Sequence, residues 1–175
     1  MNKVRVLVAV SLLISIEVML TRFLAIEIPP SMPIVRIGFG FLPIALSAML
    51  FGPAVGGITA AMADAIGVLL FSKGGMPFPG FTFSAALTGA VYGIFLHKKP
   101  FSVVRTIFAV LTILIVADLT LNTLWLTIIT GKAAAALLPA RLIKSAVMFP
   151  VQVILIQSLW RLAGSSISKR YVKEA

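Results

Sequence analysis

The chain has no cysteine among its 175 residues, which excludes a disulfide framework and a thiolate metal site. It has one histidine, His97, so a multi-histidine metal centre is excluded too. Charge is scarce. Asp, Glu, Lys and Arg make up 11% of the residues, where a soluble domain carries about a quarter. Acid is the scarcest: 5 acidic residues stand against 15 Lys and Arg, a net charge of +10. Catalytic signatures are missing as well. There is no HExxH, no GxSxG with partners for a triad, and no Walker A sequence, so the chain itself hydrolyses no nucleotide. Two aspartates sit in apolar stretches, but the second lies in IVADLT without the Gly-x-Gly-Asp pattern of an intramembrane aspartyl protease.

What is present is oil. Hydrophobic residues make up 60% of the chain, and the mean hydropathy is +1.11. A hydrocarbon core needs about 20 helical residues, with a range of about 17–25. The sequence predicts one membrane domain over 1–175, an all-α integral membrane protein of six transmembrane helices. Their approximate spans are 4–26, 36–51, 53–71, 81–97, 104–130 and 135–162. Proline- and glycine-rich punctuation separates most of them: IPPSMP, FGP, SKGGMPFPG and HKKPFS. The N-terminal MNKVR is basic, but the apolar run behind it is too long for a cleaved signal and lacks an A-x-A-like site. No internal repeat is visible, which disfavours an inverted-repeat carrier.

The cations set an orientation. With both termini inside, Lys3, Arg5, Lys98, Lys99, Arg105, Arg161, Lys169, Arg170 and Lys173 fall on the inner side, and Arg36, Lys73 and Lys132 on the outer. Nine against three predicts N-in, C-in. The net positive charge is therefore a mark of topology rather than of nucleic-acid binding.

At about 1.5 Å per residue, each intramembrane polar group acquires a depth. Glu17 lies near the middle of helix 1 and Arg22 near its outer end. Asp64 is slightly past the middle of helix 3, and Asp118 is central in helix 5. Asn122 and Trp125 follow Asp118 at i+4 and i+7, on one face and further out. Arg141 and Lys144, i and i+3 in LLPARLIK, share a face in the outer part of helix 6. A cation in hydrocarbon costs about 2.5–3.5 kcal/mol on insertion scales, so pairing or a ligand must recover part of that. Polar groups collected in the middle and outer half predict a pocket open to the outside and closed below. Cations, an amide and aromatics suit an anionic ligand with a flat ring. The plainer readings are snorkelling of Arg22 and Arg141 to headgroups, an interfacial Trp125, and Asp64 and Asp118 pairing with cations to hold the bundle. Glu17 and Arg22, five apart, are poor partners for each other, and Glu17 has no assigned role. Ala9, Ser11 and Ser15 make a small-residue stripe on helix 1, fitted to close helix approach either inside the bundle or against a partner.

Several stretches carry a family resemblance: RFLAIEIP (22–29), RIGFGFLPIALSAMLFGP (36–53), ADAIG (63–67), FPGFTFSAALTGAVYGIFL (78–96) and LNTLWLTIITGKAAAALLPARLIKSAVMFPVQ (121–152). The chain resembles the S components of energy-coupling factor (ECF) transporters, and among them the folate-specific ones. The resemblance implies a six-helix, multi-pass protein of a prokaryotic plasma membrane. By the resemblance it would not be an enzyme, would have no cofactor, and would take folate as its transported ligand on the outer side under the helix 1–2 loop. It implies as partners a transmembrane coupling protein (the T component) and two ATP-binding-cassette ATPases (the A components). Ala9, Ser11 and Ser15 would contact the coupling protein, although serines stand where the family's helix 1 is richer in alanine. The S component would topple in the membrane to carry its ligand inward. Folate brings a pterin, a benzoyl ring and two carboxylates. Trp125 and Phe81 would stack on rings. Asn122 and Asp64, with Thr82 beside them, would bond the pterin edge. Arg141 and Lys144 would face ligand oxygens, with Arg22 and Arg36 near the mouth. The alternatives are an S component for another vitamin or precursor, such as riboflavin or pantothenate, a membrane scaffold without a pocket, and a membrane-embedded enzyme.

Overall fold

Proline opens two of the helices. Pro53 and Pro79 stand at their first positions, where a missing N–H costs nothing and the fixed φ favours the helix. The computed structural model describes residues 3–28, 35–71, 78–100 and 102–171, with side chains left out at 27, 28, 35, 36 and 162–171. Its helices are α1 (Lys3–Arg22), α2 (Phe41–Phe51), α3 (Pro53–Leu70), α4 (Pro79–Leu96), α5 (Val103–Thr130) and α6 (Ala134–Tyr171). Five of them, all but α2, are long and apolar enough to cross a membrane. α2 has 11 residues, about 16 Å of helix, and is too short to cross alone.

Two expectations change. The chain is not wholly α-helical: β1 (Ile26–Ile28) and β2 (Val35–Ile37) form an antiparallel pair, with Glu27 opposite Arg36. Helix 1 therefore ends at Arg22 rather than 26, and helix 2 begins at 41 rather than 36. The apolar residues Ile26, Ile28, Val35 and Ile37 satisfy a hydropathy window as well as helix does, but they alternate with other residues as strands do. Arg36 stands on β2, not on a helix. Most of the helix 1–2 loop expected over the ligand, residues 29–34, lies outside the described residues, as do residues 72–77.

α5 is not uniform. Residues Ile113–Leu121 wind as a π-helix between α-helical Val103–Thr112 and Asn122–Thr130. The wider turn is seen in Thr120 Oγ1, which donates to the carbonyl of Ile115, five residues back, at 2.8 Å. Segments of this kind are rare and frequently lie at functional positions.

Small residues let the helices close on one another. A methyl placed on Gly89 or Gly93 of α4 would overlap the backbone of Gly56 or Pro53 of α3, so these two helices touch main chain to main chain. The core lies where α2, α4, α5 and α6 meet, around fully buried Ala45, Ala48, Tyr92, Ala109, Val110 and Ile156. Ser47 of α2 and Thr59 of α3 share a buried hydrogen bond of 2.8 Å. Outward-facing aliphatic side chains such as Leu7, Leu69, Ile115 and Ile154 are exposed, as a lipid-facing surface requires. At the α2–α3 corner His97 Nδ1 lies 2.9 Å from the carbonyl of Met49. With the proton on Nδ1 it donates to one of the carbonyls that a helix end leaves open. The lone histidine is thus part of a helix corner.

Candidate functional site

The polar groups collect at one end of the bundle, called here the hairpin end. α1 and α3 finish there, and α4 and α6 begin there beside β2, which packs on α6. The group at the centre is Asp118, raised on the π-helical part of α5. Its Oδ1 accepts from Arg141 Nη2 at 2.7 Å, and its Oδ2 from Lys144 Nζ at 2.6 Å. Arg141 Nη2 also reaches the carbonyl of Asp118 at 2.7 Å. The side chains are 5% (Arg141), 15% (Lys144) and 12% (Asp118) exposed. The i, i+3 spacing of the two cations puts both on the face of α6 that meets α5, so one carboxylate receives them both. Asn122 follows one turn on, and its Oδ1 is buried with no partner. Ser145 Oγ, one turn after Arg141, is also buried without a partner. Two cations against one anion leave the cluster at +1.

Trp125 lies on the other side of this group. Its Nε1 donates to the buried Ser84 Oγ of α4 at 3.0 Å. Its ring centroid is 5.5 Å from that of Phe78, which in turn stands edge-on to Phe81 at 6.2 Å. A methyl on Gly80 would come 2.6 Å from the indole, so glycine there gives the tryptophan its seat. On α3, Asp64 Oδ2 accepts from Thr82 Oγ1 of α4 at 2.8 Å. Arg22 is buried with its guanidinium against Gly67 of α3. Glu17 is buried with its carboxylate against Gly40, the residue before α2.

The structure therefore brings the expected residues into two connected groups. Asp118, Asn122, Arg141 and Lys144 form one, and Trp125, Phe81, Thr82 and Asp64 form the other, joined through α5. Arg22 lies on the α1–α3 side. The side chain of Arg36 is outside the described residues. Arg141 is buried on Asp118, so it does not snorkel to headgroups. Of the two aspartates read as possible partners for cations, Asp118 pairs with two, while Asp64 accepts from the Thr82 hydroxyl. Ser84, Gly80, Phe78 and Ser145 were missed. The signal for Ser84 was a small polar residue one turn inside an apolar helix, five residues after a proline.

On α1, Ser11 and Ser15 are exposed and Ala9 is half-buried. Each serine hydroxyl donates back to the carbonyl four residues earlier, Ser11 to Leu7 at 2.9 Å and Ser15 to Ser11 at 3.0 Å. The hydroxyls are satisfied within the helix, so the stripe presents small surface without an unmet polar group.

The profile of a family described as "ECF-type riboflavin transporter, S component" matches residues 1–161. The chain belongs to the S components of ECF transporters. This S component is 45% identical over 162 residues to the folate transporter FolT of Clostridium novyi (strain NT), covering 93% of this chain and 91% of that one. It is 33% identical to the folate transporter FolT of Leuconostoc mesenteroides subsp. mesenteroides over 69% of its own length and 68% of the relative's. Its fold is similar to a crystal structure of FolT bound with folic acid, with a TM-score of 0.81 at 40% identity over 87% of this chain and 90% of that one. A second structure, described as the S component of a bacterial ECF transporter, aligns with a TM-score of 0.63 at 26% identity over 93% and 99% of the chains. The family is a transporter component rather than an enzyme, and the described helices fit a multi-pass membrane protein.

Proposed function

We propose that this S component captures folate at the hairpin end of the bundle and delivers it across the membrane with an ATPase-powered module. The observation that carries the reading is the likeness, over 87% of the chain, to a FolT structure bound with folic acid. The local chemistry supports it. A buried cluster of net positive charge suits an anion. Trp125, Phe78 and Phe81 offer faces and edges to flat rings. The unpartnered Oδ1 of Asn122 is an acceptor for a ring N–H or amino group, and buried polar atoms without partners call for an explanation such as a bound group. In this reading Lys144, the more exposed of the two cations, meets ligand oxygens, while Arg141 holds Asp118 in place.

The finer architecture belongs to the same proposal. Six crossings, both termini inside and a pocket open outward at the hairpin end are its parts. Ala9, Ser11 and Ser15 meet a T component, two A components supply ATP hydrolysis, and the whole sits in a prokaryotic plasma membrane. Titration calorimetry of the purified chain with folate tests the ligand. The expected result is saturable folate binding with no binding of riboflavin. Riboflavin is the specific rival, since the matching family is named for it. Heat from riboflavin and none from folate would overturn the folate reading and leave the family unchanged.

A further inference from the structure

The opposite end of the bundle holds a second polar feature that the folate reading does not use. A cleft opens there between the end of α4, the first turn of α5 and Trp160 of α6. Its lining mixes the polar residues Lys99, Ser102 and Arg105 with the apolar Phe95 and Leu96. Lys99 is exposed and Arg105 half-buried. Among the described residues neither has an ion pair, and Arg105 Nη1 makes a long bond of 3.4 Å to the carbonyl of Pro100.

We propose that this cleft holds the phosphate of an anionic membrane phospholipid. Three observations point the same way. First, the cations lack anions. Of the five acidic residues in the chain, Glu17, Asp64 and Asp118 lie within helices and Glu27 in the hairpin, while Glu174 is outside the described residues. Second, the first turn of α5 carries no acid, and its N-cap Ser102 makes no side-chain cap bond. The open N–H groups and the positive end of that helix therefore border the same mouth. Third, the lining is mixed. Two cations share one cleft with Phe95, Leu96 and Trp160, the pairing of charge with oil that a phospholipid presents, and tryptophan favours the interfacial level of a bilayer. A free inorganic anion has no use for the apolar wall. Basic pockets between transmembrane helices are established binding places for lipid headgroups. The enclosed part measures about 10 Å³, the room of one water-sized group, so the phosphate lies across the mouth with its oxygens toward Lys99 and Arg105. The proposal does not depend on which ligand the hairpin end takes.

Native mass spectrometry of the full chain in detergent, titrated with dioleoylphosphatidylglycerol, tests it. Each surface cation contributes about fivefold to attraction of an anionic lipid. K99Q/R105Q should therefore weaken phosphatidylglycerol adducts about 30-fold, and K99Q alone, at an exposed position, about fivefold. K3Q/R5Q, which removes two cations from α1, should change binding less than about twofold, and dioleoylphosphatidylcholine should bind weakly to every form. The proposal fails if K99Q and K99Q/R105Q bind phosphatidylglycerol as the unaltered chain does. It fails equally if K3Q/R5Q loses as much, which would show diffuse attraction only, or if phosphatidylcholine binds as well. Displacement of the lipid by millimolar inorganic phosphate would assign the cleft to a free anion and overturn the lipid reading.

Discussion

Asp118 sets the balance of a buried cluster, and its removal is the most informative perturbation. In D118N the side chain keeps its volume and loses its charge. Arg141 and Lys144, 5% and 15% exposed, would then face each other as like charges without an anion. Breaking a buried ion pair by removing one partner costs about 3–5 kcal/mol. The cost of two cations in hydrocarbon, about 2.5–3.5 kcal/mol each, sets a compatible upper scale of about 5–7 kcal/mol. For a chain of this size 1 kcal/mol moves Tm by about 2–4 °C, so D118N should melt roughly 6–20 °C lower. K144M behaves differently. It leaves Asp118 with Arg141, a neutral pair that retains both Arg141 bonds, so the expected loss is within about 1–2 kcal/mol. R141M falls between them, because it also strips a donor from the Asp118 carbonyl. The combined D118L/R141M/K144M variant should recover most of the stability that D118N loses, since a buried ionic triad replaced by apolar groups is commonly neutral or stabilising. Thermal melts followed by light scattering or tryptophan emission read all four. The reasoning is refuted if D118N melts with the unaltered chain, or if K144M falls as far as D118N.

Other outcomes follow from the same structure. K144M, folded, should bind folate at least about tenfold more weakly by calorimetry, as the loss of one charge-assisted bond predicts; unchanged affinity removes Lys144 from the ligand's contacts. S84A leaves Trp125 Nε1 without its acceptor, so the tryptophan emission should shift and folate affinity fall about fivefold, the worth of roughly 1 kcal/mol. G89L should prevent the main-chain approach of α3 and α4 and abolish folding, judged by loss of a monodisperse peak in gel filtration. S11L/S15L, on the exposed face of α1, should leave folate binding intact and stop uptake in cells that carry the energising module, checked with radiolabelled folate.

Much of the fold was legible because hydrocarbon imposes a length and a composition. The expected spans 53–71, 81–97 and 104–130 differ by at most two residues at either end from α3, α4 and α5. Legibility failed between Arg22 and Phe41. There, short runs rich in isoleucine and valine are equally apolar in strand or helix, and only their pairing across the turn decides. The π-helical segment had no local sign, since ILIVADLTL is ordinary helix-forming oil and the wider turn is fixed by the contacts of Asp118 with α6. Within the site, the shared face of Arg141 and Lys144 followed from spacing, and so did the nearness of Asn122 to Asp118. The seat of Trp125 did not. It depends on Ser84 and Gly80, whose value arises only when α4 packs against α5. Glu17 had a depth but no role, and its contact with Gly40 was not legible, because it joins α1 to a helix start the sequence did not place.

The shortness of α2 has a consequence for how water reaches the interior. Eleven residues cover about 16 Å of a hydrocarbon layer about 30 Å thick, and what continues that column is a pair of three-residue strands. A two-stranded ribbon has unpaired amide edges, which acyl chains cannot satisfy. That sector of the protein must therefore be wetted or screened by neighbouring polar groups, whereas the glycine-sealed seam of α3 and α4 needs no such provision.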